Sequence, residues 1–214
     1  MKQWLEWRLG EFGPELTGKA KALYRGETPE DFLKALAGAD PEALEAYQEP
    51  LYEVLISMAE QNDAPSVRQL LTMVPGLDLR GYREGFTALG AAAVKGAMNA
   101  MDALWELGAG TNLGVGLCDE LEFCWQYDVP LEAVRRIFRH GAAVDAMDAV
   151  TLLRNEEYDL LRLALEEAKP EKICTGQGVA GLIAYMEDYI AREEPDKEEA
   201  ALLGQGIELL KEFL

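Results

Sequence analysis

The sequence predicts an all-α fold, a solenoid of stacked helical units with helical caps at its N- and C-terminal ends. Residues 108–112 read Gly-Ala-Gly-Thr-Asn and follow a stretch of helical periodicity. A similar segment, Gly-Ala-Ala-Val-Asp, occupies residues 141–145, thirty-three positions later and again behind a helical stretch. One step further back, residues 75–78 read Pro-Gly-Leu-Asp after another helix-like run. A helix, a glycine turn and an extended tip that recur at a fixed period indicate units stacked along one axis.

The clearest unit begins at residue 85, where residues 85–96 read Gly-Phe-Thr-Ala-Leu-Gly-Ala-Ala-Ala-Val-Lys-Gly. This segment resembles the ankyrin repeat, whose signature opens on Gly-x-Thr-(Pro/Ala)-Leu-His and leads to Ala-Ala and a glycine that closes the first helix. The matching positions are Gly85, Thr87, Ala88, Leu89, Ala92, Ala93, Gly96, Leu104, Gly108, Ala109 and Asn112. One departure is Gly90, where the family usually has a histidine that ties neighbouring tips together. We therefore expect looser hydrogen bonding in this unit.

The residues of this unit also suit a helical hairpin on physical grounds. Thr87 stands where a helix needs an N-cap, because its hydroxyl can accept from the amides of the first turn. The small side chains of Ala92 and Ala93 allow a second helix to pack closely. Gly96 and Gly108 fall where the chain reverses, and reversals favour residues that adopt positive φ.

The flanking units are more degenerate. Upstream, Asp63-Ala64-Pro65 separates two helix-like runs, and downstream Asp128-Val129-Pro130 does the same. We expect each aspartate to be an N-cap and each proline to lie in the first helical turn, where its missing N–H costs nothing. A fourth, shortened unit follows, with leucines between residues 152 and 165.

These units predict a single solenoid domain over residues 1–214. Residues 1–50 would form an N-terminal helical cap, residues 51–170 about four ankyrin-like repeats, and residues 171–214 a C-terminal helical cap. The C-terminal cap would consist of two amphipathic helices, at residues 179–192 and 197–213. Terminal units of a solenoid need polar faces that cover the exposed core, and capping is the role we expect for both ends.

The charge of the chain restricts its partners. Thirty-nine acidic residues against twenty basic ones give a net charge of −19. An excess of this size repels phosphate backbones and anionic membranes, and it attracts basic partners. We therefore expect a basic protein partner and neither nucleic acid nor a membrane. Ordinary solvated acidic faces are the alternative interpretation, and the oligomeric state stays open.

The cysteines and the N-terminal segment bear on location. Cys118, Cys124 and Cys174 form no Cys-x-x-Cys pair, and sparse cysteines in odd number fit a reducing compartment. The first residues lack the apolar core and the small-residue cleavage site of a signal peptide. No run approaches the roughly eighteen apolar residues of a membrane span. These features predict a cytoplasmic protein.

Three features could carry chemistry, and each has a simpler explanation. Residues 176–181 match the dinucleotide-binding pattern GxGxxG, but only Ile173 and Cys174 could form the strand that must precede it. We interpret this segment as a loop that leads into a helix. His140, the only histidine, has no partner in the sequence that would mark a nucleophile or a zinc site. The acidic pairs lack the spacing of a calcium loop. We expect no catalytic residue, no metal, no cofactor and no enzymatic activity.

The resemblance to ankyrin stacks implies that the tips and the inner helix faces form a concave binding groove. The first tip, residues 79–84, carries Arg80, Tyr82 and Arg83, and arginine and tyrosine are favoured interface anchors. The second tip is expected at residues 111–118 and the third at residues 144–148. In and around these two tips the candidate binding residues are Asp119, Glu120, Glu122, Trp125, Asp145 and Asp148. Trp125 aligns with Ala92 in this interpretation, so it must either splay the helix pair or face the groove.

The sequence therefore predicts a non-catalytic protein–protein interaction module that binds a basic protein. A narrower hypothesis is a bacterial immunity or inhibitor protein, since small acidic proteins can neutralise basic nucleases by electrostatic mimicry. Two alternatives stay open. One is a secreted effector that binds a host protein, on family analogy alone, and the other is an enzyme that binds a nucleotide at the GxGxxG segment.

Overall fold

The structure, a computed structural model, describes residues 38, 41–77, 79, 85–114, 119–193 and 195–214. Throughout these ranges the regular structure is helical, apart from two isolated β-bridges. The predicted all-α class is thus confirmed for the described chain. The contacts divide the protein into two compact units, Met1–Val115 and Gly116–Leu214.

The helices fall in these two units as follows. In the first unit the structure describes α1 (Pro41–Glu60), α2 (Ala64–Met73), α3 (Ala88–Val94) and α4 (Met98–Glu106). In the second unit it describes α5 (Glu120–Gln126), α6 (Leu131–Arg139), α7 (Ala146–Arg154), α8 (Tyr158–Glu167), α9 (Gly178–Glu193) and α10 (Lys197–Lys211). Two short 3₁₀ helices, Pro170–Lys172 and Cys174–Gly176, precede α9.

The hairpins α1–α2, α3–α4, α5–α6 and α7–α8 all reverse direction through the same kind of turn. One residue in each turn has a left-handed backbone: Asn62 (φ 58°), Gly96 (φ 62°), Asp128 (φ 49°) and Glu156 (φ 60°). The N–H of the following residue donates to a carbonyl five residues back, at 2.8–3.0 Å in all four turns. This Schellman pattern satisfies the last carbonyls of the first helix and sends the chain back along it.

The glycines that recur in the sequence close the second helices in a similar way. Gly108 has φ 98° and Gly141 has φ 101°. In both places the next N–H again donates five residues back, from Ala109 to Leu104 at 3.0 Å and from Ala142 to Ile137 at 3.3 Å. The first two residues of the recurring segments, at 108–109 and 141–142, therefore have the same local structure.

In the first unit the two hairpins stack with like helices side by side, because α1 packs on α3 and α2 packs on α4. Hydrogen bonds join them at the helix starts. The hydroxyl of Tyr52 accepts from the N–H of Ala88 at 3.1 Å, and Oδ1 of Asn62 accepts from the N–H of Ala100 at 3.0 Å. These first-turn amides of α3 and α4 have no partner within their own helices, so the preceding hairpin caps them.

In the second unit α5 packs on α7 and α6 packs on α8, while α9 and α10 pack on α7 and on each other. A short parallel bridge ties the segment before α9 to the start of α7. The N–H of Val144 donates to the carbonyl of Lys172 at 2.9 Å, and the N–H of Cys174 donates to that of Val144 at 2.8 Å. The two predicted C-terminal helices are confirmed, with ends that differ by at most two residues.

The two Asp-x-Pro motifs do not have the same structure. Asp63 caps α2 as predicted, since its Oδ1 accepts from the N–H of Ser66 at 3.2 Å. The prediction for Asp128 is wrong, because Pro130 is the N-cap of α6 and Asp128 is the left-handed residue of the turn. The physical reason is Val129, which is buried and donates its N–H to the closing bond of the turn. Asp128 thus occupies the position that Asn62 occupies upstream.

Trp125 also lies one position away from where the sequence alignment placed it. Thr87 and Asp119 are the N-caps of α3 and α5, both with extended backbones. Counted from these N-caps, the residue of α5 that is equivalent to Ala92 of α3 is Cys124. The predicted alignment of Trp125 with Ala92 is therefore wrong by one position. Cys124 is small enough to be fully buried there, and Trp125 keeps part of its surface exposed.

The third tip, predicted at residues 144–148, is shorter than expected. Asp145 is the N-cap of α7, and its side chain accepts from the N–H of Met147 at 2.8 Å. The helix therefore begins at Ala146, and Asp148 lies in its first turn rather than in a loop.

Helix α1 runs without a break from Pro41 to Glu60, through residue 50, where the sequence placed the boundary between cap and repeats. Leu51, Leu55 and Met58 continue the buried face at helical spacing. The end of the expected N-terminal cap and the helix-like run before Asp63 are therefore parts of one helix. The division of the chain into caps and repeats stays a prediction, and residues 1–37 of the N-terminal cap lie outside the described residues.

Gly90 allows the segment after α4 to lie directly on α3. The hydroxyl of Thr87 donates to the carbonyl of Asn112 at 2.8 Å and accepts from the N–H of Gly90 at 3.0 Å. The N–H of Thr87 donates to the carbonyl of Leu113 at 3.0 Å. A Cβ atom on residue 90 would overlap this carbonyl oxygen. Thr87 therefore supplies three hydrogen bonds in the unit where looser bonding was expected.

We predict that Gly90→Ala lowers the free energy of unfolding by about 2 kcal/mol or more, because the added methyl group has no room. Gly110→Ala is the matched control, since a Cβ there meets nothing within 4 Å, and it should change stability by no more than about 0.5 kcal/mol. Urea denaturation measures both. Equal effects of the two substitutions would contradict the close approach at Gly90.

Candidate acidic binding site

Five acidic side chains gather in the second unit, where α5 and α7 begin. Asp119 and Asp145 are the N-cap residues of these two helices. Glu120 and Glu122 lie in the first turn of α5, and Asp148 lies in the first turn of α7. Acidic residues suit helix N-termini because of the helix dipole. Since α5 packs beside α7, the two starts form one group, which we call the acidic cluster.

Asp148 is the buried member of the acidic cluster. Its side chain belongs to a residue that is only 5% exposed. Its Oδ2 atom is buried and has no hydrogen-bond partner among the described residues. Leaving a buried carboxyl oxygen unsatisfied is costly, and such groups in folded proteins call for an explanation.

Burial and like charges both act on this carboxyl group. Burial is the largest cause that raises the pKa of Asp148, and together with the neighbouring carboxylates of Asp119, Asp145, Glu122 and Glu120, in that order, it brings the pKa to about 7. Removal from water and nearby negative charge both penalise the ionised form. At neutral pH the carboxyl group is therefore close to half protonated.

Other acidic residues of the second unit are paired with arginines. Glu167 of α8 accepts from Arg135 at 2.8 Å and from Arg139 at 2.5 Å. The hydrogen bond from Arg139 is the main cause that lowers the pKa of Glu167. Asp148 differs, because the charged groups that shift its pKa are all acidic. No cation is among the groups that shift the pKa of Asp148. The acidic cluster therefore supplies the acceptors of an ion pair, but not its cation, to this residue.

The remaining members form a more accessible rim around Asp148. Asp119 is exposed, while Glu120, Glu122 and Asp145 are half-buried. Nε2 of Gln126 donates to Oε1 of Glu122 at 2.9 Å, which holds that carboxylate on the surface of α5. This arrangement of a buried acceptor with an acidic rim can receive a positively charged group.

The structure brings together five of the nine residues that the sequence proposed for binding. Asp119, Glu120, Glu122, Asp145 and Asp148 form the acidic cluster. Trp125 is half-buried on α5, one helical turn after Glu122 and so on the same side of that helix. Arg80, Tyr82 and Arg83 lie outside the described residues. Their roles in binding stay predictions.

The burial of Asp148 is the part of the site that the sequence interpretation missed, because it placed this residue in an exposed tip. A signal was present. Apolar residues lie on more than one side of α7, because Ala146, Ala149, Val150 and Leu153 share one face and Leu152 lies on another, and all five are buried. Leu152 comes one turn after Asp148, so a helix that begins at Ala146 places this carboxyl group on the same side as a buried leucine.

The described residues also include titratable groups outside the acidic cluster. Within the described ranges, no group of three or more His, Cys, Asp or Glu side chains is arranged to hold a metal ion.

Burial raises the pKa of the Cys124 and Cys174 thiols, and the charge of Asp145 raises the pKa of Cys174 further. His140 is the C-cap of α6, with Nδ1 2.9 Å from the carbonyl oxygen of Arg136. The helices described here include none with the length and apolar content to cross a bilayer.

The GxGxxG segment is a loop that leads into a helix, as predicted. Ile173 makes only an isolated bridge, a 3₁₀ turn follows at Cys174–Gly176, and α9 begins at Gly178. Gly181 has a local packing role, because a Cβ atom there would overlap the side chain of Gln177.

In comparisons with known proteins, no family model matches the sequence, and a search of curated proteins finds no significant match.

We predict that Asp148→Asn stabilises the fold at pH 8, where wild-type Asp148 is ionised and buried. The folded-state pKa lies above the value of 3.8 for a free aspartate. The stability that the protonated form contributes is therefore lost as pH rises from about 4 to about 7. The advantage of the Asn variant should shrink by about 2–3 kcal/mol between pH 8 and pH 5.

Asp159→Asn is the matched control, since Asp159 also lies in the first turn of a helix but is exposed. Its effect on the free energy of unfolding should be within about 0.5 kcal/mol at both pH values. Urea denaturation of the three proteins measures these differences. A pH-independent effect of Asp148→Asn would contradict the raised pKa.

Proposed function

We propose that this chain is a non-catalytic protein-binding module that binds a basic protein partner through the acidic cluster. The observation that carries the proposal is Asp148, a buried carboxyl group with an unsatisfied oxygen beside four further carboxylates. An arrangement that costs stability in the free protein is explained if the missing positive charge arrives with a partner.

The overall charge supports the same partner class. A net charge of −19 attracts basic proteins over a distance of about a Debye length and raises their rate of encounter. The acidic cluster would be the place where the attracted partner binds. Among the described residues, only this cluster contains a buried carboxyl group with an unpaired oxygen.

We further propose that the hairpins belong to an ankyrin-like solenoid. Thr87, Gly96 and Gly108 support this, since they act as the N-cap and the two left-handed turn residues that the repeat requires. The stacking of like helices within each unit is also the arrangement expected of repeat proteins. In such stacks the starts of the first helices lie beside the tips, and the acidic cluster lies at the starts of α5 and α7.

The inhibitor hypothesis is a special case of this proposal. An acidic cluster that imitates a phosphate-rich ligand could occupy the basic surface of a nuclease. It requires that the partner loses its own activity when it is bound. We also propose a cytoplasmic location, where the buried thiols of Cys124 and Cys174 would stay reduced.

We predict that reversing the charges of Asp119, Glu120 and Glu122 to lysine abolishes capture of a basic protein. The immobilised wild-type chain should retain such a protein at about 0.05 M salt and release it at about 0.5 M, since salt screens charge attraction. Mass spectrometry of the retained proteins, compared between variants, measures the effect.

The control carries the same change in net charge on exposed residues outside the acidic cluster, Glu166, Glu171 and Glu193. It should retain the partner nearly as well as the wild type. Equal losses in both triple variants would mean that net charge alone is responsible, and no loss in either would move the binding surface elsewhere.

A further inference from the structure

The acidic cluster contains one acceptor that sets it apart from an ordinary acidic surface. Only 5% of the surface of Asp148 is exposed. In the part of the chain that is described, no group donates a hydrogen bond to its Oδ2 atom. The four other carboxylates lie close enough to raise its pKa, so this oxygen belongs to the acidic cluster and not to a separate apolar pocket. Since no described residue supplies a donor to it, a donor from another molecule would satisfy this oxygen.

An ammonium group fits this acceptor better than a guanidinium group. It is compact, it sits at the end of a slender stem, and it can reach a carboxyl group that is almost covered. Its three N–H donors can be shared among several separate carboxylates. A guanidinium favours one carboxylate that it can hold through two parallel hydrogen bonds, and this needs a wider opening.

We propose that the acidic cluster is a receptor for one lysine side chain of the partner, whose ammonium group donates to Oδ2 of Asp148. This inference rests on the proposed function and makes it specific, because it names the residue that the partner contributes. The rim of Asp119, Glu120, Glu122 and Asp145 would hold the lysine during entry and accept its remaining hydrogen bonds.

The site should release a proton when the lysine binds. Asp148 carries a proton in about half of the free molecules at neutral pH, whereas an ammonium group stabilises the ionised carboxylate. Binding therefore becomes weaker as pH falls below about 7, since the proton must then be displaced.

The charged groups on the helices packed against α7 do not disturb the link between lysine binding and proton release from Asp148. The arginine of α7, Arg154, lies at the opposite end of the helix and is held by Glu199 of α10 and Tyr189 of α9. On α8, Arg162 is held by Glu212 at 2.8 Å. The groups that act on Asp148 are the acids at the starts of α5 and α7.

Isothermal titration of the full chain with an N-acetylated, C-amidated tetralysine peptide at low salt tests the proposal. Wild-type protein should bind about tenfold more tightly at pH 8 than at pH 6, because the ionised fraction of Asp148 in the free protein rises about tenfold over this range. Asp148→Asn should weaken binding at pH 8 and remove the difference between the two pH values. Asp159→Asn should behave as the wild type does. Tetra-arginine should bind more weakly than tetralysine.

The outcomes separate this inference from the proposed function. If Asp148→Asn binds as tightly as the wild type while the Asp119, Glu120 and Glu122 triple variant does not bind, the lysine receptor is wrong and the acidic binding surface stands. If the triple variant also binds normally, both are wrong. Absence of tetralysine binding to the wild type at both pH values, or tighter binding of tetra-arginine through Asp148, would overturn the inference.

Discussion

The described helices owe their arrangement to one backbone device, a turn with a single left-handed residue whose neighbour donates five residues back. The device closes the hairpins at Asn62, Gly96, Asp128 and Glu156. It satisfies the last carbonyls of one helix and reverses the chain within a few residues, so the next helix must pack against the previous one. Like helices of neighbouring hairpins then lie side by side within each unit. The starts of α5 and α7 become neighbours for this reason.

That neighbourhood creates an electrostatic conflict. Each helix start favours acidic residues on its own, since the N-terminal amides are partly positive. Two such starts side by side place their carboxylates in one region, and Asp148 is moreover covered by the packing of α7. Protonation of Asp148 relieves part of the cost in the free protein, and a bound cation would relieve it more completely. A single position thereby links the stability of the fold, its pH dependence and the proposed binding.

Much of the helical pattern could be predicted from the sequence, because it depends on local chemistry. The glycines at 108 and 141, the N-caps at Thr87 and Asp63, and the two C-terminal helices all follow from residue preferences that act within a few positions. Asp128 could not be placed this way, since a buried neighbour, Val129, decided which residue entered the turn. The alignment of Trp125 failed for another reason, because the N-caps Thr87 and Asp119 are one residue closer together than Gly108 and Gly141 are.

The residues of the acidic cluster could be predicted from the sequence, but the burial of Asp148 could not. Acidic residues near the helix starts were visible in the sequence, but the burial of Asp148 is a matter of tertiary packing, in which α5, α8, α9 and α10 all pack against α7. Tertiary packing of this kind leaves only a faint periodic signal in any one segment. Gly90 is a similar case, because the residue that excludes a side chain there, Leu113, is distant in sequence.

The most direct measurement is a ¹³C NMR titration of the side-chain carboxyl group of Asp148, alone and saturated with the captured partner. We predict a pKa near 7 in the free protein and a clearly lower value in the complex, since a cation would then face the carboxylate. A pKa of about 4 in the free protein, as for an exposed aspartate, would contradict the buried acceptor. An unchanged pKa in the complex would contradict its role in binding.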